Sequence, residues 1–353
     1  MEILSPAQYE EYERFVKSHP NGNFTQSARW PKVKDNWKSE IVVSRGEDGA
    51  IRGGMLLLYR NPIPMLPYNL IYAPRGPVCD YHDRAVLADL LEGAKAVAKR
   101  HRGFLIKMDP ALLANDQEAI DNFVQLGCNF TPDAPPSQTA QVRTVYVIPH
   151  LQSRTKEELL ASFKQKTRYN IRVAMRHGVV CKRMGVEGVE DFYNLHVVTA
   201  KRDHFIIRSL DYYRRMLETF PEEMCLFLCY YQDRPVSAAF CSNFSGRVTY
   251  LFGASDNENR NVMPSYLMQW EMMQWAMDTG ADVYDFYGTP LPQDVDSSMA
   301  GIYRFKSGFQ GEHVVYAGEF NLVANRAVNA LFNLAMKVRH GIIVAKKKTN
   351  QVH

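Results

Sequence analysis

Between Ser162 and Met184 the sequence SFKQKTRYNIRVAMRHGVVCKRM carries Lys164, Lys166, Arg168, Arg172, Arg176, Lys182 and Arg183 without a single acid. Lys164, Arg168, Arg172 and Arg176 recur every four residues, so on a helix they form one stripe with neighbouring Cβ atoms roughly 6 Å apart. A solvated helix face normally interleaves acids with its bases. An unrelieved stripe points instead to a polyanionic partner that supplies the missing charge. In RDHFIIRSLDYYRRM, Arg208 and Tyr212 stand four apart around Ser209, a residue type suited to capping a helix start. An arginine and a phenol at a helix start suit an anion, and equally an ordinary arginine resting on a ring. FTQSARWPKVKDNWKS sets Lys32, Lys34 and Lys38 beside Trp30 and Trp37. Either the tryptophans pack inward from a helix, or one lysine reaches a substrate phosphate as a point charge. Asp109 in IKMDP and Asp285 in VYDFYG end matching strands, as ligand contacts or as turn caps. His204 and His313 have no neighbour to orient them as bases and read as structural.

The segment GIYRFKSGFQGE, Gly301 to Glu312, reads as a glycine-rich loop. Its glycines let backbone approach a ligand closely, while Phe305 and Phe309 hold the loop by packing.

The elements that position these residues follow from periodicity. Pro6 and the spacing of Tyr9, Tyr12, Phe15 and Val16 predict a first helix, ended by HPNG. SEIVVSR and GGMLLLYR read as adjacent strands, NLIYAPRGPV as a third strand entering a loop, and His82 to His101 as a helix. GFLIKMDP is a strand ending at Asp109, and a helix covers Gln117 to Leu126. TPDAPPSQTAQ, Thr131 to Gln141, is the most linker-like stretch. Beyond it come a helix over Lys156 to His177, the strand VVCKRM, and helices at Val189 to Arg202 and Leu210 to Thr219. Strands MCLFLCYY, RPVSAAFCSNF and RVTYLFGAS, a helix over Pro264 to Thr279 and the strand ADVYDFYG follow. IYAPRGP, helix, GFLIKMDP matches YLFGAS, helix, ADVYDFYG, so one strand-strand-strand-helix-strand unit is used twice. That is the layout of an acetyltransferase-like fold, in an α/β (α+β) class, with a groove expected between the copies.

Composition bounds the rest. The chain's 353 residues suit two domains. A net charge of +4 is too mild to imply nucleic-acid binding without the local clustering above. The six cysteines form no CxxC pair and read as reduced core thiols, which places the protein in the cytoplasm. The N-terminus is acidic and no run of 18 apolar residues occurs, so neither export nor spanning is expected. Phosphate-loop, dinucleotide, zinc-protease and nucleophile-elbow motifs are missing, as is paired Cys/His metal spacing. The places where an acetyl-coenzyme A enzyme carries its pyrophosphate loop hold APRGPVCDYH and ASDNENRNVMPS, so coenzyme A is not the expected donor.

KTRYNIRVAMRHGV, YLFGAS and GIYRFKSGFQGEHVVYAGEFNLV together resemble the FemABX family of tRNA-dependent peptidyltransferases, which build peptidoglycan interpeptide bridges. The likeness runs from FTQSARW to GEFNLV. It implies two tandem acetyltransferase-like (GNAT) domains, 1–148 completed by a returning segment 319–353, and 149–318. It implies attack by the side-chain amine of the third residue of the precursor pentapeptide, on lipid II or UDP-MurNAc-pentapeptide, upon an aminoacyl-tRNA ester. By the same likeness Lys34, Arg208 and Tyr212 bind the acceptor's diphosphate and adjoining groups, and Asp109 and Tyr250 line the acceptor-peptide groove. Lys306 meets the tRNA acceptor end as the catalytic cation. Arg304 beside it, with Lys164, Arg168, Arg172 and Arg176, contacts the tRNA. Bridge-extending members insert a coiled-coil arm in the second domain; there is no room for one between the Tyr212 helix and MCLFLCYY, which favours the armless members. An aminoacyl ester is already activated, so positioning and charge stabilisation suffice, and no cofactor or metal beyond the tRNA-borne donor is expected. The alternatives are an acyltransferase with another activated donor, and a tRNA-dependent tailoring enzyme acting on a different amine. A monomer is expected. The C-terminal ALFNLAMKVRHGIIVAKKK reads either as a helix docked on the first domain with a basic tail, or as a peripheral contact with the inner membrane face.

Overall fold

The computed structural model describes residues 1–63, 66–132, 139–296 and 299–336. The chain divides into two compact units: unit 1 is Met1–Val16, Thr25–Gln141 and the chain from Ala317, and unit 2 is Lys17–Phe24 and Val142–Tyr316.

Unit 1 contains strands β1 (Glu2–Ile3), β2 (Lys38–Arg45), β3 (Ile51–Arg60), β4 (Asn69–Ala73), β5 (Val78–Cys79), β6 (Gly103–Met108) and β7 (Asn129–Thr131). Its helices are α1 (Tyr9–Ser18), α2 (Trp30–Val33), α3 (Arg84–Arg100) and α4 (Gln117–Gln125). β2, β3 and β4 pair antiparallel in turn; α3 then carries the chain over so that β6 runs parallel to β4. The helix starts where the Asp83 carboxylate accepts the Val86 N–H, and Lys99 and Arg100 sit in its last turn. Leu87, Leu90, Leu91, Ala94, Val97 and Ala98 bury its inner face. Gly93 lets that face lie close on β2, since a Cβ there would come within 2.2 Å of Val42 Cγ1.

Unit 2 contains β8 (Thr144–Ile148), β9 (Val180–Met184), β10 (Met224–Tyr231), β11 (Arg234–Phe244), β12 (Arg247–Ser255), β13 (Val283–Gly288) and β14 (Glu312–Val315). Its helices are α5 (Lys156–Ser162), α6 (Gln165–Arg176), α7 (Val189–Asp203), α8 (Leu210–Thr219), α9 (Pro264–Asp278) and α10 (Ala300–Lys306). The strands lie in the order β14-β8-β13-β12-β11-β10-β9. Here too three antiparallel strands, β10 to β12, precede a helix, α9, and a parallel partner, β13. The repeat seen in the sequence is thus a repeat of topology. α9 is buried along most of its length, with Leu267, Met268, Trp270, Met272, Met273 and Ala276 facing the core.

One strand of unit 1 comes from the far end of the chain. β15 (Glu319–Val323) lies between β6 and β7, antiparallel to both. Phe320 is fully buried, its ring stacked 4.4 Å from Phe123 and 4.8 Å from Phe130.

Three sequence expectations change. The strand Thr144–Ile148, placed in the first domain by a boundary at 148, pairs with β13 and β14 in the second sheet, because Tyr146 and Ile148 belong to that core. The helix expected over Lys156 to His177 breaks at Phe163 and Lys164, both extended; Phe163 turns inward against Trp270 and Phe309. Gly301 to Glu312 is no open loop, since α10 is followed by a 3-10 turn over Ser307–Phe309. Part of the linker-like stretch, 133–138, lies outside the described residues. At the C-terminal end, residues 326–336 are helical and Phe332 packs 5.2 Å from Phe104. Lys337, Arg339, Lys346, Lys347 and Lys348 of the expected basic tail lie outside the described residues.

Replacing Phe320 with Ala should lower stability by about 3–5 kcal/mol, since the cavity opens between two stacked rings at the one strand that joins β6 to β7. Urea unfolding of the two proteins measures it; a loss below about 1 kcal/mol would mean that β15 adds little.

Candidate active site

Lys306 ends α10 and is only 7% exposed. Its ammonium donates to Phe286 O at 2.7 Å and to Gly288 O, with a longer contact of 3.5 Å to Tyr287 O. These carbonyls face the lysine because the backbone turns at Tyr287, whose φ is +61°. The turn is held by the buried Asp285, which accepts the Tyr287 N–H at 2.7 Å and pairs with Arg247 at 3.1 Å. Burial pulls the Lys306 ammonium down to about 8, and the Asp285 charge pulls it back up. At neutral pH the amine is therefore a buried cation.

The glycines of this segment serve the protein's own packing. A Cβ on Gly311 would lie 2.2 Å from Val147 O, and one on Gly308 would lie 2.5 Å from Thr167 Oγ1. The expectation that they admit a ligand gives way to close chain-to-chain contact. Gly308 O accepts the Lys164 N–H at 3.0 Å and the Thr167 hydroxyl at 2.9 Å. The start of α6 is thereby tied to the turn that follows Lys306. Phe309 is fully buried, 5.1 Å from both Phe163 and Phe286, and Phe305 packs 4.9 Å from Tyr266.

The cation stripe on α6 is real but uneven. Arg172 and Arg176 are exposed on the helix, and Arg176 lies 5.7 Å over the Tyr169 ring. Lys164 is exposed but sits at the cap position, outside the helical turn geometry the stripe assumes. Arg168 is engaged with the chain itself: its guanidinium donates to Ala161 O at 2.8 Å and to Phe163 O, closing the end of α5. That helix end has carbonyls without intrahelical partners, so an arginine one turn into the next helix is drawn to them. Arg304 is exposed on α10.

Arg208 and Tyr212 meet as the spacing predicts. Ser209 caps α8 by accepting the Tyr212 N–H at 3.3 Å, and the exposed Arg208 lies 5.6 Å over the Tyr212 ring. Burial pushes the Tyr212 phenol up to about 12, with Arg208 opposing and Tyr287 reinforcing the rise. Tyr287, the left-handed residue beside the Lys306 carbonyls, is thus near enough to Tyr212 to act on it electrostatically. Neither it nor Arg247 was singled out in the sequence, where DFYG shows no sign of a left-handed tyrosine. Tyr250 is half-buried on β12 and folds back over Gly253, where a Cβ would lie 1.7 Å from the phenol oxygen. Burial pushes its phenol well above the usual tyrosine value.

Lys34 and Asp109 belong to unit 1. Lys34 is half-buried at the end of α2, its ammonium 5.2 Å over the Trp30 ring. Trp30 is in the core as expected, while Trp37 is half-exposed beneath the Arg60 guanidinium at 4.5 Å. Asp109 is buried and satisfied: it accepts from the Tyr72 hydroxyl at 2.6 Å and from the Arg75 N–H at 2.6 Å. This is the turn-capping alternative, with Arg75 in a left-handed conformation at φ +55°. Burial raises the Asp109 carboxyl to about 6, against the pull of Arg75 and the Tyr72 hydrogen bond. Among the described residues no cluster of three or more His, Cys, Asp or Glu side chains is placed to hold a metal ion.

The FemAB family model matches residues 8–232 and 228–337, nearly the whole chain. The chain belongs to the FemAB family. A lipid II:glycine glycyltransferase from Staphylococcus epidermidis is 30% identical to it over 97% of this chain and 97% of that protein. The crystal structure of FemX matches with a TM-score of 0.86 at 27% identity, over 94% of this chain and 99% of that one. A tandem GNAT protein from the clavulanic acid biosynthesis pathway, 10% identical with a TM-score of 0.53 over 92% of this chain and 98% of that one, shares the fold alone. This FemAB protein is an aminoacyltransferase built on two acetyltransferase-like units. It has no coiled-coil arm after the Tyr212 helix, since α8 ends at Thr219 and β10 begins at Met224.

The folded value of Asp109 lies above the 3.8 of an ordinary aspartate, so its ionisation weakens this FemAB fold as pH rises from about 4 to about 6. Tyr72→Phe removes a hydrogen bond that lowers this value, so the carboxyl should titrate higher still. Carboxyl-carbon NMR reads the shift directly, and an unchanged or lower value would contradict the assignment.

Proposed function

We propose that the chain transfers an amino acid from aminoacyl-tRNA to the side-chain amine of the third residue of the peptidoglycan precursor pentapeptide, and so begins an interpeptide bridge. The names of its relatives bring lipid II as the acceptor class and glycine as the first amino acid to try. The observation that carries the reading is the joint at Gly308: its carbonyl binds the first turn of the basic helix, two residues from a buried cation. A tRNA lying along Arg172 and Arg176 would bring its acceptor end towards Lys306.

The chemistry asks little more of the protein. A neutral amine attacks the ester carbonyl carbon, the carbonyl oxygen takes negative charge, and the C–O bond to the terminal ribose breaks. An amide remains, and the amine's proton ends on the ribose hydroxyl. Lys306 supplies positive charge for the oxyanion or for the departing ribose oxygen. Two of its N–H groups are held by Phe286 O and Gly288 O, and the third rests on the long 3.5 Å contact to Tyr287 O, so little has to be broken to redirect it. Arg208, over Tyr212, is the anion contact for the acceptor's diphosphate in unit 2. Taken by itself, unit 1 offers Lys34, over Trp30, as a cation for the same kind of group. No cofactor enters the reaction.

Incubation of the protein with a panel of radiolabelled aminoacyl-tRNAs and either lipid II or UDP-MurNAc-pentapeptide tests the reading. Label should appear in the acceptor from charged tRNA; transfer from acetyl-coenzyme A alone would overturn it. Lys306→Ala should cut kcat roughly a hundredfold or more while the acceptor KM changes little. If Lys306 works as a cation, activity is lost as pH rises through about 8. Asp285 holds that value up, so in Asp285→Asn the alkaline limb of the kcat profile should move to lower pH, and a limb that stays or rises excludes this role.

A further inference from the structure

Unit 2 presents an apolar tip that its own packing does not account for. α7 ends at Asp203 and α8 begins at Leu210, and between them runs HFIIRS, His204 to Ser209. Ile206 is 100% exposed and the adjacent Phe205 is 42% exposed. Isolated apolar side chains on a surface are ordinary. Two neighbours at the apex of a pinned turn are not. His204 turns the chain with a left-handed φ of 57°. The Phe205 N–H donates to Ala200 O at 3.2 Å, and its ring rests 5.6 Å from the buried His196 ring. On the other side the Arg208 N–H donates to the Tyr213 hydroxyl at 3.3 Å, and Ser209 caps α8. With both ends fixed, Ile206 is held out into water.

The surrounding charges indicate what the tip meets. Lys201 and Arg208 flank it, both exposed, while Arg202 is tied to Asp203 and Ser255. Asp203 is answered by Arg202, and Asp211 lies one turn further on, in α8. An aliphatic apex with a cation on either side complements acyl chains beneath anionic headgroups. A nucleic acid would use the cations but not the isoleucine. No helix among the described residues is long and apolar enough to cross a membrane.

We infer that residues 205–207 insert into the headgroup region of an anionic membrane, and that this sets Arg208 at the depth of a lipid-linked diphosphate. The second clause rests on the function proposed above; the membrane contact does not.

The test is flotation with vesicles of phosphatidylglycerol and phosphatidylethanolamine in equal parts, followed by transfer assays on the same proteins. Ile206→Asp should lower vesicle partitioning at least about tenfold, because it puts a charge where an apolar anchor was. Ile206→Trp should partition as well as the parent or better, since indole suits the interface. Ile206→Asp should also lose transfer to lipid II held in vesicles while keeping transfer to the soluble UDP-MurNAc-pentapeptide. Equal partitioning of the parent and Ile206→Asp would overturn the inference. So would equal loss on both acceptors, which is what a flap closing over substrate would produce. Should the parent use neither acceptor, the proposed function fails, and the flotation result still decides the membrane contact.

Discussion

An ammonium taken out of water must find acceptors, and Lys306 finds them where β13 slips out of register with β8 between Asp285 and Gly288. Much of unit 2 is arranged around that requirement. The strand breaks its ladder with β8 between Asp285 and Gly288 by turning left-handed at Tyr287, and Asp285 holds the turn by binding the tyrosine N–H. Arg247 neutralises Asp285 in its turn. The helix that delivers Lys306 is seated by Phe305 and Phe309, and the backbone just beyond it passes so close to α6 and β8 that only glycine fits at 308 and 311. One buried charge thus links the sheet end, the short helix and the start of the basic helix into one unit.

The two copies of the repeated topology use the same device for different ends. In unit 1 the carboxylate after β6, Asp109, holds the N–H of a left-handed Arg75. In unit 2 the carboxylate within β13, Asp285, holds the N–H of a left-handed Tyr287. Asp109 reaches back to the loop after β4, whereas Asp285 acts within its own strand. The shared feature is a buried carboxylate that offsets the strain of a non-glycine residue at positive φ. In unit 2 the carbonyls on either side of that turn receive the Lys306 ammonium.

Sequence periodicity revealed the elements well where burial follows a regular period. The amphipathic spacing of α3 and α8, the apolar runs of β10 to β12 and the repeat of strand, helix and parallel strand all come from short-range pattern. The Ser209 cap and the Arg208–Tyr212 pair were legible for the same reason, since both sit within one turn of helix. What stayed hidden depends on partners far along the chain. Phe163 breaks a helix because Trp270 and Phe309 receive its ring, and Arg168 leaves the stripe because α5 ends beside it. Gly308 and Gly311 look like freedom in the sequence, yet the structure uses them for contact with Thr167 and Val147. The burial of Lys306 was illegible too, because its acceptors are carbonyls, which every residue carries.

The position of β15 has a consequence for how the protein comes into being. β7 pairs with β15, and β6 needs β15 on its open edge, yet Glu319–Val323 is translated after the whole of Val142–Tyr316. While the chain is being made, the first sheet has an empty slot and an unpaired edge of the kind that invites wrong partners. Unit 2 has all its strands before unit 1 does. The half that is encoded first is therefore the half that closes last, and β15 acts as a latch that can be set only after the whole of unit 2 has been translated.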